Sequence, residues 1–338
     1  MSLVSEFEEV LARLEKEKMT GPFEHAASDL IRFVTDDSAI KLVSDTFRNS
    51  KSFWVRLGIL KAYDLMNHAS TTAYRTLSQN CREVILEDLL VGIVDKDERI
   101  RMTSSDIFSN GKDLMKEIKP GLGERMVKEL MANSERMREG SAVSALGVVD
   151  YSGISQKMKK QAIDFLVDAA IKGSSDAARG LDRIGDKDSI NKVAEHWLPK
   201  LDSRKRKEVV TAVGIFEFIE SSAAADKVAQ LVKKGFDYYK LIEVLVKSGD
   251  ERHEDSILKL MESERGYCIV DMEIMGKKGG KKSLVILNGI VKNKKDYDEQ
   301  DIEAARKAIK DIEGRMTVSS KPAEERLRKA MEKKKVPA

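Results

Sequence analysis

A helix-pair cassette that recurs along the chain constrains the fold more than any single residue does. Its clearest copies are LLVGIVDKDERIRMTSSDIFSNG, around residue 100, and AARGLDRIGDKDSINKVAEHWLPKLDSRKRKEVVTAVG, around residue 190. In each copy an apolar helix ends in a short polar turn, a basic residue opens a second helix, and that helix closes on small residues and a glycine. One such pair cannot bury its apolar face alone, so the copies must stack. The expected fold class is therefore all-α, an α-α superhelix of about eight helix pairs.

Composition points the same way. Charged residues make up 35% of the chain and aromatic residues 6%, with five prolines, a balance that suits long solvated helices and leaves little for strands. A stacked array has no single core, so the 338 residues count repeats rather than globular domains. The net charge of +3 is unevenly spread. Residues 1–150 carry 21 Lys and Arg against 25 Asp and Glu, and the remainder carries 39 against 32, so the C-terminal part is the basic one. The two cysteines, Cys81 and Cys268, form no CxxC pair. Both are expected to be reduced core thiols, with neither a disulfide framework nor a zinc site. No window approaches the run of roughly 18 apolar residues that a membrane span needs. The opening MSLVSEFEEVLARLEKEK is acidic and amphipathic, unlike a signal peptide, so a cytoplasmic protein with no membrane partner is expected.

Helical periodicity repeats after each polar stretch. Ile163, Leu166, Val167, Ala170 and Ile171 fall on one helical face, as do Val209, Ala212, Val213 and Phe216. Leu241, Val244 and Leu245 follow the same spacing, and so do Ile302, Ala305 and Ile309. Breakers mark the joints: Asp95 and Asp97, Pro120 with Gly121 and Gly123, Ser174 and Ser175, Gly185 with Asp186, Pro199 to Ser203, Gly249 with Asp250, and Gly279 with Gly280. Second helices are expected to start near residues 51, 98, 135, 174, 203, 236, 264 and 298. Residues 1–34 read as capping helices, 35–314 as the repeat array, and 315–338 as a loop, a polar helix and a basic tail.

The turn residues carry a resemblance. Asp95, Asp97, Arg99, Ile100 and Arg101 before a small-residue helix, and Ala177, Ala178, Leu181, Ile184, Gly185 and Asp186, resemble the HEAT repeat, particularly its phycobilisome-lyase-like variety. Val55, Arg56 and Leu60, and Ser141, Ala142, Ala145, Leu146 and Gly147, match the pattern more loosely, and the copy near residue 235 lacks the turn Asp and Arg. The resemblance covers nearly all of the chain and specifies architecture, not activity. It implies a right-handed, HEAT/armadillo-like superhelix whose second helices line a concave face.

The sharpest local signal is GKKGGKKSLVILNGIVKNKK, residues 276–295, with seven lysines and no acidic residue. Lys277, Lys278, Lys281 and Lys282 surround a diglycine turn, and Lys292, Lys294 and Lys295 lie at the far end of the helix that follows. A glycine turn opening a helix presents N–H groups beside positive charge, which suits phosphate. The spacing is not that of a Walker motif. The same lysines also suit a plainer role, complementing the helix dipole and solvating a turn. Further basic clusters stand at Lys157, Lys159 and Lys160, at Arg204, Lys205, Arg206 and Lys207, and at Lys233 and Lys234, with Asp202, Glu208 and Asp226 interspersed. Equivalent turns of stacked repeats align, so these clusters would merge into a stripe that takes a polyanion through salt-dependent phosphate contacts.

Other chemistry finds less support. Trp54 and Trp197 sit in apolar helical stripes and read as core, as do Met126, Met131, Met137, Met158, Met261, Met272 and Met275. Deoxyhypusine hydroxylase, a HEAT-like iron enzyme, uses several His-Glu dipeptides; this chain has one, His253-Glu254, expected in a solvated turn. There is no G-x-S-x-G, and no motif couples a histidine to either cysteine. No catalytic residue, metal ligand or cofactor is therefore assigned. The leading expectation is a non-catalytic scaffold that binds a protein or peptide partner on its concave face. A second is a nucleic-acid-binding module using the lysine-rich stripe. A third, a HEAT-like DNA glycosylase, requires a concave pocket with a buried carboxylate beside an aromatic ring. The repeats leave the oligomeric state open.

Overall fold

The computed structural model describes residues 2–17, 21–68, 77–110, 114, 119–137, 140–262, 267–293 and 295–334, with the side chains of residues 22, 67, 68 and 317–334 outside that description. Among the described residues every regular element is a helix. They divide into two compact units, Met1–Val193 and Ala194–Ala338.

In unit 1, α1 (Leu3–Glu17), α2 (Gly21–Asp29) and α3 (Ile31–Val34) lead into α4 (Ile40–Asn49), α5 (Phe53–His68), α6 (Gln79–Gly92), α7 (Glu98–Asn110), α8 (Pro120–Ala132), α9 (Ser141–Leu146), α10 (Gln156–Ile171) and α11 (Ser175–Ile184). The unit boundary falls inside α12 (Lys187–Trp197). First helices touch in the order α4, α6, α8, α10; second helices touch in the order α5, α7, α9, α11; and each pair packs internally. Two layers result, A and B, in which each repeat rests on its neighbours. Helices α1 and α2 pack against each other and against α5.

Unit 2 repeats the scheme. A 3-10 turn (Leu198–Asp202) is followed by α13 (Arg206–Phe216), α14 (Ser222–Lys233), α15 (Leu241–Ser248), α16 (Glu254–Met261), α17 (Ile269–Lys278), α18 (Lys281–Lys292) and α19 (Glu299–Lys334). The 3-10 turn, α14, α16 and α18 form its A layer, and α13, α15, α17 and α19 its B layer. The B-layer helices of the two units start at residues 53, 98, 141, 175, 206, 241, 269 and 299, close to the expected starts. Helix α19 runs through the segment expected to be a loop after residue 314. No helix among the described residues is long and apolar enough to cross a membrane.

Local chemistry sets the ends. Ser78, Ser155, Ser174 and Ser221 each accept a backbone N–H three residues on and so cap α6, α10, α11 and α14. Asp97 does the same for α7 through the N–H groups of Arg99 and Ile100. Pro120 opens α8, where its missing N–H is harmless. Gly185 closes α11 with φ of 74°, a left-handed position that glycine adopts without a Cβ clash. Between the first two pairs, the half-buried Arg56 guanidinium binds Asp95, and Arg101 donates to the Asp95 carbonyl at 2.8 Å. The turn aspartate and the helix-opening arginines therefore tie one repeat to the next.

In the B layer of unit 1 the end of α9 approaches α11 closely. A Cβ built on Gly147 would lie 2.6 Å from the Gly180 Cα, and one on Gly180 would lie 2.9 Å from the Gly147 Cα. Because the obstacle is backbone, Gly147→Ala must push the two helices apart. We expect this variant to lose about 1–3 kcal/mol from overpacking, measured by denaturant unfolding, although alanine is the better helix former by about 1 kcal/mol.

Candidate functional site

The lysine-rich segment of unit 2 does not form one patch. Lys277 and Lys278 end α17, Lys281 and Lys282 open α18, and Lys292 lies about 18 Å away at the other end of that 12-residue helix. Lys295 is exposed beyond it, and Lys294 lies outside the described residues. Two of the lysines have partners: Lys278 Nζ donates to the Gly249 carbonyl at 2.9 Å, and Lys282 Nζ pairs with Asp255 at 2.6 Å. Arg315 donates to the carbonyls of Gly276 and Gly279. These cations serve the negative ends of α15 and α17. Around them Lys277, Lys278 and Arg315 face Asp250, Glu251 and Arg252 across a cleft of about 440 Å³. At the other basic cluster, Arg204, Lys205 and Lys207 are exposed, Lys205 meets Glu208 at 3.2 Å, and Arg206 donates to the Asp237 carbonyl at 2.6 Å.

The diglycine turn corrects the phosphate expectation directly. Its N–H groups are not presented to solvent: Glu254 accepts Gly280 N–H at 2.6 Å, Ser283 N–H at 2.7 Å and Lys282 N–H at 3.4 Å. An internal carboxylate thus occupies the helix terminus. Burial pushes the Glu254 carboxyl up, but those N–H groups outweigh it and hold the group below the usual glutamate range. Its neighbour is equally structural. His253, expected in a solvated turn, is 3% exposed. Its Nδ1 accepts the Asp250 N–H at 3.1 Å, which leaves Nε2 to donate to Asp226 at 2.9 Å in the neutral ring. The His253-Glu254 dipeptide therefore ties α16 back to α14 and forward to α18. Among the described residues no group of three or more His, Cys, Asp or Glu is placed to hold a metal ion. Cys81 is buried as expected, whereas Cys268 is exposed at the N-terminal cap of α17.

In unit 1 a buried carboxylate does lie beside an aromatic ring. Asp88 on α6 is fully buried and accepts Ser44 Oγ at 2.7 Å, Arg48 Nε at 2.7 Å and Tyr63 Oη–H at 2.8 Å. It sits where α4, α5 and α6 meet. Ser44 and Arg48 line a cleft of about 610 Å³ over the A layer, but Asp88 and Tyr63 do not reach its surface. Trp197 is buried, and Trp54 is half-buried between Phe23 and Phe53, with the Arg99 guanidinium 3.9 Å from the Phe53 ring. Of the seven methionines expected in the core, Met126, Met137, Met261, Met272 and Met275 are buried, whereas Met131 and Met158 are only half-buried.

A recess also runs over the second helices of unit 1. A cleft of about 370 Å³ crosses α7, α9 and α11, lined by Ser109, Asn110, Ser144, Gly147, Val148, Asp176, Arg179, Gly180 and Arg183. A second, of about 510 Å³, shares Gly147, Val148 and Arg183 and continues along the 148–152 turn to Gln156 and Lys159. Gly147 and Gly180 let α9 and α11 close up beneath these clefts, each filling the space where the other's side chain would stand. Arg179 is 3.6 Å from Asp176, whereas Arg183 is exposed and has no ionic partner among the described residues. Sequence reasoning reached Gly147 as a repeat residue and passed over Gly180 and Arg183. Their signal was two glycines at matching places in successive second helices.

These layers define the class: an all-helical chain, among its described residues, built from neighbouring helix pairs as in a helical repeat protein. No family model matches the chain, and no curated protein matches its sequence. Two engineered proteins solved by the Northeast Structural Genomics Consortium are similar over 91% of this chain. One is 16% identical with 98% of its own chain covered and a TM-score of 0.39; the other is 14% identical with 97% covered and a TM-score of 0.17. At those scores neither adds to the reading of the site.

Proposed function

We propose that this protein is a HEAT-like scaffold, non-catalytic and cytoplasmic, that binds a peptide segment of a partner protein along the B layer of unit 1. The observation that carries the reading is the pair of adjoining clefts that share Gly147, Val148 and Arg183. They supply what an extended segment needs: length across three repeats, apolar side chains such as Val148 and Ile184, and polar groups at the rim. Arg179, Arg183 and Lys159 outnumber Asp176 and Asp150 there, which favours an acidic segment. The phycobilisome-lyase-like character of the repeats belongs to this reading as an architectural kinship only.

The test is selection of peptides from a random library against the purified protein. Acidic peptides are expected to be enriched, and Arg183→Glu is expected to weaken the best of them about tenfold or more by placing like charges in contact. Failure to enrich any peptide, or equal binding to Arg183→Glu, would overturn the proposal.

A further inference from the structure

The B-layer helices of unit 2 run parallel. Lys278 binds the Gly249 carbonyl, and Arg315 binds those of Gly276 and Gly279, so the ends of α15 and α17 lie together against α19. Their starts therefore share the opposite edge. At that edge a tyrosine stands two residues before three of the four helix starts: Tyr239 before Leu241, Tyr267 before Ile269, and Tyr297 before Glu299. No other described pair has a tyrosine at this position. Tyr239 is 76% exposed, the most exposed large apolar side chain among the described residues, and Tyr267 and Tyr297 are half-buried. A solitary core role explains none of this register.

The same edge carries both signs of charge: Asp237, Asp296, Asp298 and Glu299 are exposed beside Tyr239 and Tyr297, Glu262 and Asp271 neighbour Tyr267, and cations cluster towards α13 and α14. Arg204 and Lys207 stand at the start of α13 and Lys233 and Lys234 at the end of α14; all four are exposed and without an ionic partner among the described residues. The two turns are in contact, since Arg206 reaches the Asp237 carbonyl and lies 4.8 Å from the Phe236 ring. Lys292 and Lys295 add exposed charge beside Tyr297. One ring per repeat, at the roughly 10 Å step between packed helices, gives bases a row of stacking faces, and the cations of α13 and α14 at the Tyr239 end give a phosphate backbone its counter-charge.

We infer that this edge binds single-stranded nucleic acid without reading its sequence, with bases on Tyr239, Tyr267 and Tyr297 and phosphates on Arg204, Lys207, Lys233 and Lys234. The surface belongs to unit 2 and the peptide groove to unit 1, and neither reading depends on the other. The lysines around the diglycine turn lie at the far edge and take no part.

Fluorescence anisotropy of the full chain with labelled oligothymidine and oligouridine, across a salt series, tests the inference. Binding is expected at low salt and should weaken as salt rises. Tyr239→Ala and the Lys233→Glu, Lys234→Glu pair should each weaken it about fivefold or more, while Tyr239→Phe retains it. Lys277→Glu with Lys281→Glu should leave it unchanged. A preference for one of the two oligomers would identify the natural strand as DNA or RNA. The inference is overturned by no binding at low salt, by equal affinity for an abasic strand or a duplex, or by loss of binding in the Lys277 and Lys281 variant instead. Tyr239 is exposed enough that its replacement leaves the fold intact, which circular dichroism verifies.

Discussion

Asp88→Ala is expected to destabilise the protein by about 3–5 kcal/mol, the cost of breaking a buried charged network by removing one partner. Ser44, Arg48 and Tyr63 all donate to this one carboxylate, and they come from both helices of the preceding pair. Alanine removes the one acceptor that all three share at the junction of α4, α5 and α6. Tyr63→Phe removes one hydrogen bond and should cost about 1 kcal/mol. Denaturant unfolding of both variants checks the ratio. Equal, small losses would mean that Asp88 is hydrated and the network contributes little. Burial pushes the Asp88 carboxyl above its ordinary value, against the pull of Ser44, Arg48 and Tyr63. The folded state then holds a proton more tightly than the unfolded chain, so this group's contribution falls as pH rises from the unfolded value through the folded one.

Glu254 has the opposite sign. Glu254→Ala should cost about 3 kcal/mol, since a charged acceptor is lost from three N–H groups at the start of α18. Its folded carboxyl is held below the usual glutamate range, so its stabilisation is fully present above the unfolded value and is lost as pH falls through the folded one. Acid unfolding of the wild type should therefore steepen below about pH 4.3, the ordinary glutamate value. Glu254→Gln should flatten that limb while leaving the neutral-pH stability between those of the wild type and the alanine variant. If the two acid limbs superimpose, the carboxylate does not hold the helix terminus.

The layered fold was legible because burial follows helical spacing. Val209, Ala212, Val213 and Phe216 share a stripe in the sequence and are all buried. Second-helix starts were readable from Asp97, Ser174 and Pro199 to Ser203 because polar turns must punctuate apolar helices. What stayed hidden were contacts between repeats. Nothing near Gly280 announces that a carboxylate 26 residues earlier will fill its N–H groups. His253 looked solvated because its partners, Asp226 and Asp250, are spread over 27 and 3 residues of chain. The lysines of 276–295 read as one cluster because sequence adjacency hides the length of α18, which carries them to opposite edges. The tyrosine register at 239, 267 and 297 becomes visible once helix starts are known, since the spacing alone is irregular.

The proposed recognition surface is the B layer of unit 1, and amide hydrogen exchange of the protein with and without a library-selected peptide tests it. Added protection is expected in α9, the 147–152 turn and α11, centred on Gly147, Gly180 and Arg183. Protection over α4, α6 and α8 instead, or none in α9 and α11, would contradict it.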